Sequence, residues 1–379
     1  MSRLSGEPSS AMRLAALVRK EGLQILRDPS SLAIAFLMPL VLLWLFGHGV
    51  SLDARNVPLA LVVEQPGAET QRFISGFAQS DFFELQHFLS IQDAERALLE
   101  RRVHGIVWLR SDFADHLLVP SEAPIGVIVD GVDANKARII QGYVEAVWLR
   151  WLDDYRASQG VTFQPPVDLR QRVWFNEAVE SRDYLVPGLI AVIMTLIGAL
   201  LTAMVVAREW ERGTLEALLV TAMRVPEFLL GKLLPYFALG TGGMLLTVAM
   251  AEWVFDVPLR GSFWVLLLAS ALFMAAALGM GLLISILAKN QFVAGQVAII
   301  VTFLPAFILS GFIFDIRSMP LAVQVVTHLI PARYFVSILQ TVFLAGDLWR
   351  VILPNMAALA AMAAVFLTVV WHKSSKRLE

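Results

Sequence analysis

Six stretches of the chain, residues 31–50, 185–207, 233–251, 263–288, 292–314 and 351–371, contain no Asp, Glu, Lys or Arg. Each is about as long as a helix must be to cross a hydrocarbon core of about 30 Å. Repeated six times, this feature leaves little choice of fold: lipid satisfies no backbone polar group, and a helix closes its own hydrogen bonds within one segment. Composition agrees. Of 379 residues, 57% are hydrophobic and 16% charged, and the mean hydropathy is +0.67. The reading is a polytopic α-helical membrane protein with six transmembrane helices, the first over 31–50 and the rest within 183–379.

Charge between the runs sets the orientation. Arg3, Arg13, Arg19, Lys20 and Arg27 precede the first run, and Arg208, Arg212, Arg224 and Lys232 stand between the second and third. Lys289 follows the fourth, and Lys373, Lys376 and Arg377 follow the sixth. The alternate short connections hold Arg260, Arg317, Arg333 and Arg350. Thirteen basic residues against four give cytoplasmic termini under the positive-inside rule. Lys232, near the start of the third run, is expected to snorkel to the interface. The first run exceeds a signal-peptide core and no A-x-A site follows it, so it reads as a retained span. Cysteine is absent, which excludes disulfides and thiol chemistry. The net charge of −2 carries no information on partners, and no nucleic-acid partner is expected.

This orientation puts residues 51–182 outside, as the one segment long enough to fold as a soluble domain. VPLALVV (57–63), FFELQHFL (82–89), HGIVWL (104–109) and APIGVIVDG (123–131) read as strands. Residues 68–79, 91–102 and 134–157 have helical spacing, and 159–178 read as linker and strand returning to the membrane. The alternation predicts an extracytoplasmic, periplasmic α/β domain between helices 1 and 2. It is mildly acidic, with 19 acidic and 13 basic residues. In 11–28, Leu14, Leu17, Val18, Leu23, Ile25 and Leu26 alternate with charges. Residues 1–30 therefore read as carrying an amphipathic helix in the cytoplasmic interface, its basic residues near anionic membrane lipid.

Site chemistry is sparse. The nearest approach to a phosphate loop, PEFLLGKL (226–233), has Pro226 and Leu233 where Gly and Ser or Thr are required. His48, His87, His104, His116, His328 and His372 are scattered without metal-ligand spacing. No nucleophile elbow or HExxH occurs. The chain is expected to be no enzyme and to hold no metal or cofactor; ATP-driven work would rest on another polypeptide.

One polar stretch stands out, AREWERGTLEALLVTAMR (207–224). A charge at the bilayer centre costs about 2.5–3.5 kcal/mol, so this stretch belongs in water between two spans. Leu215, Leu218, Leu219 and Ala222 form one apolar stripe at helical spacing. Thr214 suits the N-cap and Glu216 the positive end of such a helix. Periodicity alone leaves two readings open, an interfacial linker and a helix inserted into a cytoplasmic ATPase.

AREWERGTLEALLVTAMRVPEFLLGKLLPY (207–236) resembles the signature of ABC-2 type transporter permeases. Residues 304–349, LPAFILSGFIFDIRSMPLAVQVVTHLIPARYFVSILQTVFLAGDLW, resemble that family's fifth span, outer re-entrant hairpin and lead into the sixth span. Residues 13–47 resemble its amphipathic N-terminus and first span, and VWFNEAVESRDYLVPGLIAVIM (173–194) its return into the second. Ala222-Met223, Glu177 and Asp315 stand where many members have proline.

The resemblance implies the membrane subunit of an ABC exporter in a bacterial inner membrane, moving hydrophobic or amphipathic, drug-like compounds. It implies a separate ABC ATPase carrying ATP and Mg, and a second permease copy or paralogous permease. The large outer domain adds a periplasmic membrane-fusion adaptor. Arg208, Glu209, Glu211, Arg212, Gly213, Thr214, Leu215, Glu216 and Leu219 become ATPase-coupling residues within a coupling helix over 208–224. Lys232, Pro235, Glu252 and Pro305 become transmembrane or positioning residues, and 315–346 the re-entrant hairpin. Glu252, beside Trp253, also suits a solvated interfacial place. Gly240, Gly242, Gly243, Gly279 and Gly281 would let helices approach closely. A lipid or polysaccharide exporter is the rival within transport. A membrane-anchored sensor or scaffold with a ligand-binding 51–182 domain is the rival outside it.

Overall fold

The computed structural model describes residues 10–49, 56–78, 80, 82–113, 125–132, 134–158, 175–176, 180–211, 213 and 225–374. The chain divides into two units, one of residues 1–51 with 173–379 and one of residues 52–172.

In the first unit, helix α1 (Ser10–Leu26) precedes six helices long and apolar enough to cross a membrane among the described residues. These are spans 1 to 6: Pro29–Gly49, Ser181–Glu211, Pro226–Trp253, Phe263–Ala288, Gln291–Leu309 and Trp349–Lys373. Span 2 is the axis of the unit: 94% of its apolar window is buried inside the protein, against 22% in spans 1, 5 and 6. Small residues permit this packing. A Cβ on Gly281 of span 4 would lie 2.3 Å from the Ala199 carbonyl oxygen of span 2. One on Gly243 of span 3 would lie 2.1 Å from the Ala35 carbonyl oxygen of span 1. At both places two backbones touch, and only glycine fits. The close approach at Gly242 and Gly279 is looser, against the Phe36 ring at 3.5 Å and Phe366 Cβ at 3.2 Å. Between spans 2 and 4, Thr202 Oγ1 donates to the Leu278 carbonyl at 2.8 Å, and Ser285 Oγ accepts from the Val206 and Ala207 amides.

Spans 1 and 5 each contain one π-helical turn, Ala33–Leu37 and Ile299–Phe303. The apolar run expected to carry helix five to residue 314 is cut short. Span 5 ends at Leu309, because Gly311 adopts φ +85, a left-handed conformation that suits glycine and stops the helix. Beyond it, α5 (Leu321–Thr327) and α6 (Pro331–Leu344) meet at 82°. Helix α6 buries Phe335, Leu339 and Phe343, and the Phe335 ring stacks on Phe273 of span 4 at 4.1 Å.

The second unit is a four-stranded sheet in the order β2-β1-β3-β4. Its strands are β1 (Val57–Val63), β2 (Phe83–Phe88), β3 (Gly105–Leu109) and β4 (Ile125–Val129). The first three are mutually parallel and β4 runs antiparallel to β3. Helices α2 (Ala68–Ala78) and α3 (Ile91–Leu99) are the crossovers that parallel pairing requires. The alternation within β1 feeds two cores. Leu59 and Leu61 join Phe73, Phe77 and the long helix α4 (Ala134–Ser158), while Ala60 and Val62 join Ala94 and Ala97 of α3. The first core is aromatic: Phe73 lies edge-on to Trp148 and Trp151, and Trp151 stacks on Tyr155. The expected returning strand within 159–178 lies almost wholly outside the described residues.

Candidate coupling region

Leu17, Glu21 and Ile25 of α1 follow one another at four-residue spacing, and all three are buried. A carboxylate therefore sits on the buried stripe of α1. Helix α1 lies along span 3, where Gly231 makes room for Leu17. That contact brings Glu21 to Lys232: the Lys232 ammonium lies 2.7 Å from Glu21 Oε1 and 2.5 Å from Glu209 Oε1 at the end of span 2. Lys20 reaches the same Glu21 oxygen at 3.0 Å from the solvent side. Glu21 is 1% exposed and Lys232 2%, so these charges stand in a low-dielectric place where only pairing makes them tolerable. The other Glu21 oxygen, Oε2, is buried without a hydrogen-bond partner among the described residues. Lys232 does not snorkel as its position in the sequence predicts, because two carboxylates meet it inside the protein.

A second pair fastens the other end of α1. The Arg13 guanidinium forks onto Glu227 of span 3 at 3.0 and 3.2 Å, and Ser10 Oγ donates to the same carboxylate at 2.5 Å. Forked geometry fixes direction as well as distance. Together the two clusters hold α1 against the start of span 3 over its whole length.

Span 2 ends in four consecutive residues that each engage a different neighbour. Arg208 Nη1 lies 3.3 Å from Asp28 Oδ2, at the head of span 1. Glu209 meets Lys232 of span 3. The Trp210 ring carries the Lys289 ammonium at 4.5 Å, in the turn between spans 4 and 5. Glu211 Oε1 accepts from the Gln291 amide at 3.1 Å, at the N-terminal end of span 5, where negative charge is favoured. Asp28 is itself the N-cap of span 1, accepting from the Ser30 amide at 3.1 Å and the Ser31 hydroxyl at 2.8 Å. Burial pushes its carboxyl up, but the bonds from Ser30, Ser31 and Arg208 outweigh this and bring it down to about 2.

Of the residues singled out from the sequence, Arg208, Glu209, Glu211 and Lys232 are thus brought into one connected region. Gly213 is exposed in a left-handed conformation, φ +67, immediately after span 2. Arg212, Thr214, Leu215, Glu216 and Leu219 lie outside the described residues. Pro235 stands inside span 3, and Pro305 in the first turn after the π segment of span 5. Glu252 is exposed at the far end of span 3, remote from the ion pairs. Sequence reasoning missed Arg13, Glu21, Asp28 and Glu227. Glu21 had a readable signal, a lone acid four residues from an apolar neighbour on either side; the pairing of Arg13 with a residue 214 positions away had none.

The region ties the heads of spans 1, 3 and 5 and helix α1 to the point where the polar stretch leaves span 2. The comparisons make the class specific. The family model described as ABC-2 family transporter protein matches residues 30–372, and the chain belongs to that family. It is 44% identical to the probable multidrug ABC transporter permease YbhS of Escherichia coli K12, over 97% of this chain and 98% of that protein. It is 28% identical to the probable multidrug ABC transporter permease YbhR of the same organism, over 93% and 98%. To the linearmycin resistance permease protein LnrN of Bacillus subtilis it is 22% identical, over 90% and 94%. The protein is therefore a multi-pass ABC permease and not an enzyme; its family implies a separate ABC ATPase subunit that hydrolyses ATP.

Proposed function

We propose that the chain is the permease subunit of an exporter that moves hydrophobic or amphipathic, drug-like compounds out of the cytoplasm or inner membrane of a bacterium. Two relatives named as probable multidrug permeases, similar along almost their whole length, support the substrate class. The observation that carries the mechanism is the run Arg208–Glu211. With each residue bonded to a different neighbour, a displacement of the stretch that follows reaches spans 1, 3 and 5 at once.

In this reading residues 208–224 are the coupling helix, and both termini face the cytoplasm. ATP and Mg reside on the ATPase. Residues 51–182 face the periplasm and meet a membrane-fusion adaptor. Residues 315–346 form the re-entrant hairpin, and a second copy or a paralogous permease completes the pathway. Lys232 positions the end of span 2, while Pro235, Pro305 and Glu252 act through the shape and boundary of their spans.

The test is Glu216→Lys in the permease reconstituted with its ATPase. Within this chain a helix-end charge contributes only about 0.3–1 kcal/mol, so abundance and insertion should hold. At a protein interface the reversal sets like charges together, which costs several kcal/mol. ATPase association or substrate-stimulated turnover should therefore fall, and fall further in Leu219→Asp. Unchanged assembly and transport in Glu216→Lys would make the stretch an interfacial linker. Orientation is tested separately with an impermeant thiol reagent on intact cells, which should label a cysteine at Ser121 and spare one at Thr214.

A further inference from the structure

An open cavity of about 980 Å³ lies beside the coupling region, walled by α1, the head of span 1, the end of span 2 and the start of span 5. Four cationic side chains line it, Arg19, Lys20, Arg27 and Arg208, against one acid, Asp28. Lys20 and Arg208 are engaged by Glu21 and Asp28, whereas Arg19 and Arg27 have no acidic partner among the described residues. The wall is not purely polar: Leu23, 47% exposed, stands between the two free arginines in sequence. Leu26 beside them is 68% exposed.

We infer that this cavity binds the phosphate of an acidic phospholipid. Three observations select that occupant. The surplus charge is positive and rests on Arg19 and Arg27, eight residues apart along α1 and the residue after it, a spacing that suits a diffuse phosphodiester anion. The exposed leucines call for hydrocarbon next to the charge, which a soluble acidic partner does not offer. Finally, the cavity opens where span 1 and span 5 begin, and both carry exposed apolar residues onward from it. These are Leu37, Val41 and Leu45 on span 1, and Phe292, Ile300 and Leu304 on span 5. A phosphate held at Arg19 and Arg27 leaves its acyl chains beside those surfaces. Basic pockets between spans recognise acidic headgroups in this manner, with roughly a factor of five in affinity for each basic side chain near the phosphate. The lipid would also lie beside the Arg208–Asp28 pair, and so beside the point where the coupling stretch leaves span 2.

The experiment uses the full chain in neutral detergent, titrated with phosphatidylglycerol and, separately, phosphatidylcholine, with bound lipid counted by native mass spectrometry. Phosphatidylglycerol should bind at least about tenfold more tightly than phosphatidylcholine. Arg19→Gln with Arg27→Gln should weaken phosphatidylglycerol about thirtyfold, while Arg350→Gln and the charge-keeping pair Arg19→Lys with Arg27→Lys stay within about threefold. Inorganic phosphate in the millimolar range should not displace the lipid. Four outcomes would overturn the inference: equal binding of the two lipids; an unaffected double glutamine variant; equal loss in Arg350→Gln; or displacement by phosphate alone, which assigns the site to a free anion. Loss of ATPase association in the double variant with lipid retained would assign the cavity to the partner protein and overturn it too. Binding in detergent is independent of which face meets the cytoplasm, so an inverted topology would be reported by the thiol labelling and not by this result.

Discussion

The two ends of the helix bundle are fastened by different chemistry. Where span 2 ends, the ties are ion pairs: the buried Glu21–Lys232–Glu209 cluster and the half-buried Arg13–Glu227 and Arg208–Asp28 pairs. Where span 2 begins, charge enters through the exposed Arg182–Glu180 pair and the Ser262 amide on Asp347 Oδ1 at 2.9 Å, and the other ties are neutral. The Tyr184 hydroxyl donates to the Gly311 and Phe312 carbonyls at 3.2 and 3.3 Å. The Phe312 ring fills the place a Cβ would take on Gly188. The Gly261 amide donates to the Val342 carbonyl at 2.8 Å. Buried ions are costly to separate and demand exact partners, so an element held by them moves as a block. Neutral contacts and ring packing tolerate sliding. Span 2 thus meets its neighbours chiefly through ion pairs at one end and chiefly through uncharged contacts at the other.

The sharpest way to break this comparison is Lys232→Met. It leaves Glu21 and Glu209 buried without their counter-charge and should destabilise the membrane unit by about 3–5 kcal/mol, read as a lowered thermal midpoint of the purified protein. Adding Glu21→Gln and Glu209→Gln should recover most of that loss, since the penalty belongs to uncompensated charge; no recovery would mean that Lys232 matters for its packing alone.

Asp28→Asn comes next, at about 1.5 kcal/mol near neutrality. Its carboxyl is lowered from the ordinary 3.8 to about 2. The stabilisation is then complete above about pH 4 and is lost as pH falls toward 2. The gap in thermal midpoint between wild type and variant should narrow from pH 7 to pH 3, with about half of it remaining at pH 3. Parallel curves would remove the carboxylate from the account. At the opposite end, Tyr184→Phe removes one shared neutral hydrogen bond and should cost no more than about 1 kcal/mol. A loss comparable to that of Lys232→Met would erase the distinction between the two ends.

Much of the architecture was legible because it is written locally. The six spans follow from uninterrupted apolar length, and the strands of the α/β unit from short apolar or alternating runs between helical spacings. What was not legible is non-local. Lys232 reads as an interfacial lysine until Glu21 and Glu209, 211 and 23 positions away, arrive beside it. The end of span 5 at Leu309 depends on the conformation of a single glycine inside a run that stays apolar to Phe314. Of the ion-pair region, the residues on span 2 were singled out through the family resemblance, whereas their partners on α1 and at the head of span 1 were invisible without the fold.

The π turns of spans 1 and 5 bear on how a straight seam is kept along a helix. The buried positions of span 1 are Ser31, Ala35, Pro39 and Leu43, and those leading through span 5 are Ala294, Ala298, Thr302, Ala306 and Ser310, each four residues from the last. Four residues carry an α-helix through about 400°, so every step overshoots the seam by about 40°. Left uncorrected, the buried line would wind toward the opposite side within a few turns. A turn closed over five residues rotates less per residue and winds the line back. Both spans place that turn near the middle of their buried series, and so each keeps a four-residue repeat facing the axis by local unwinding, without a kink.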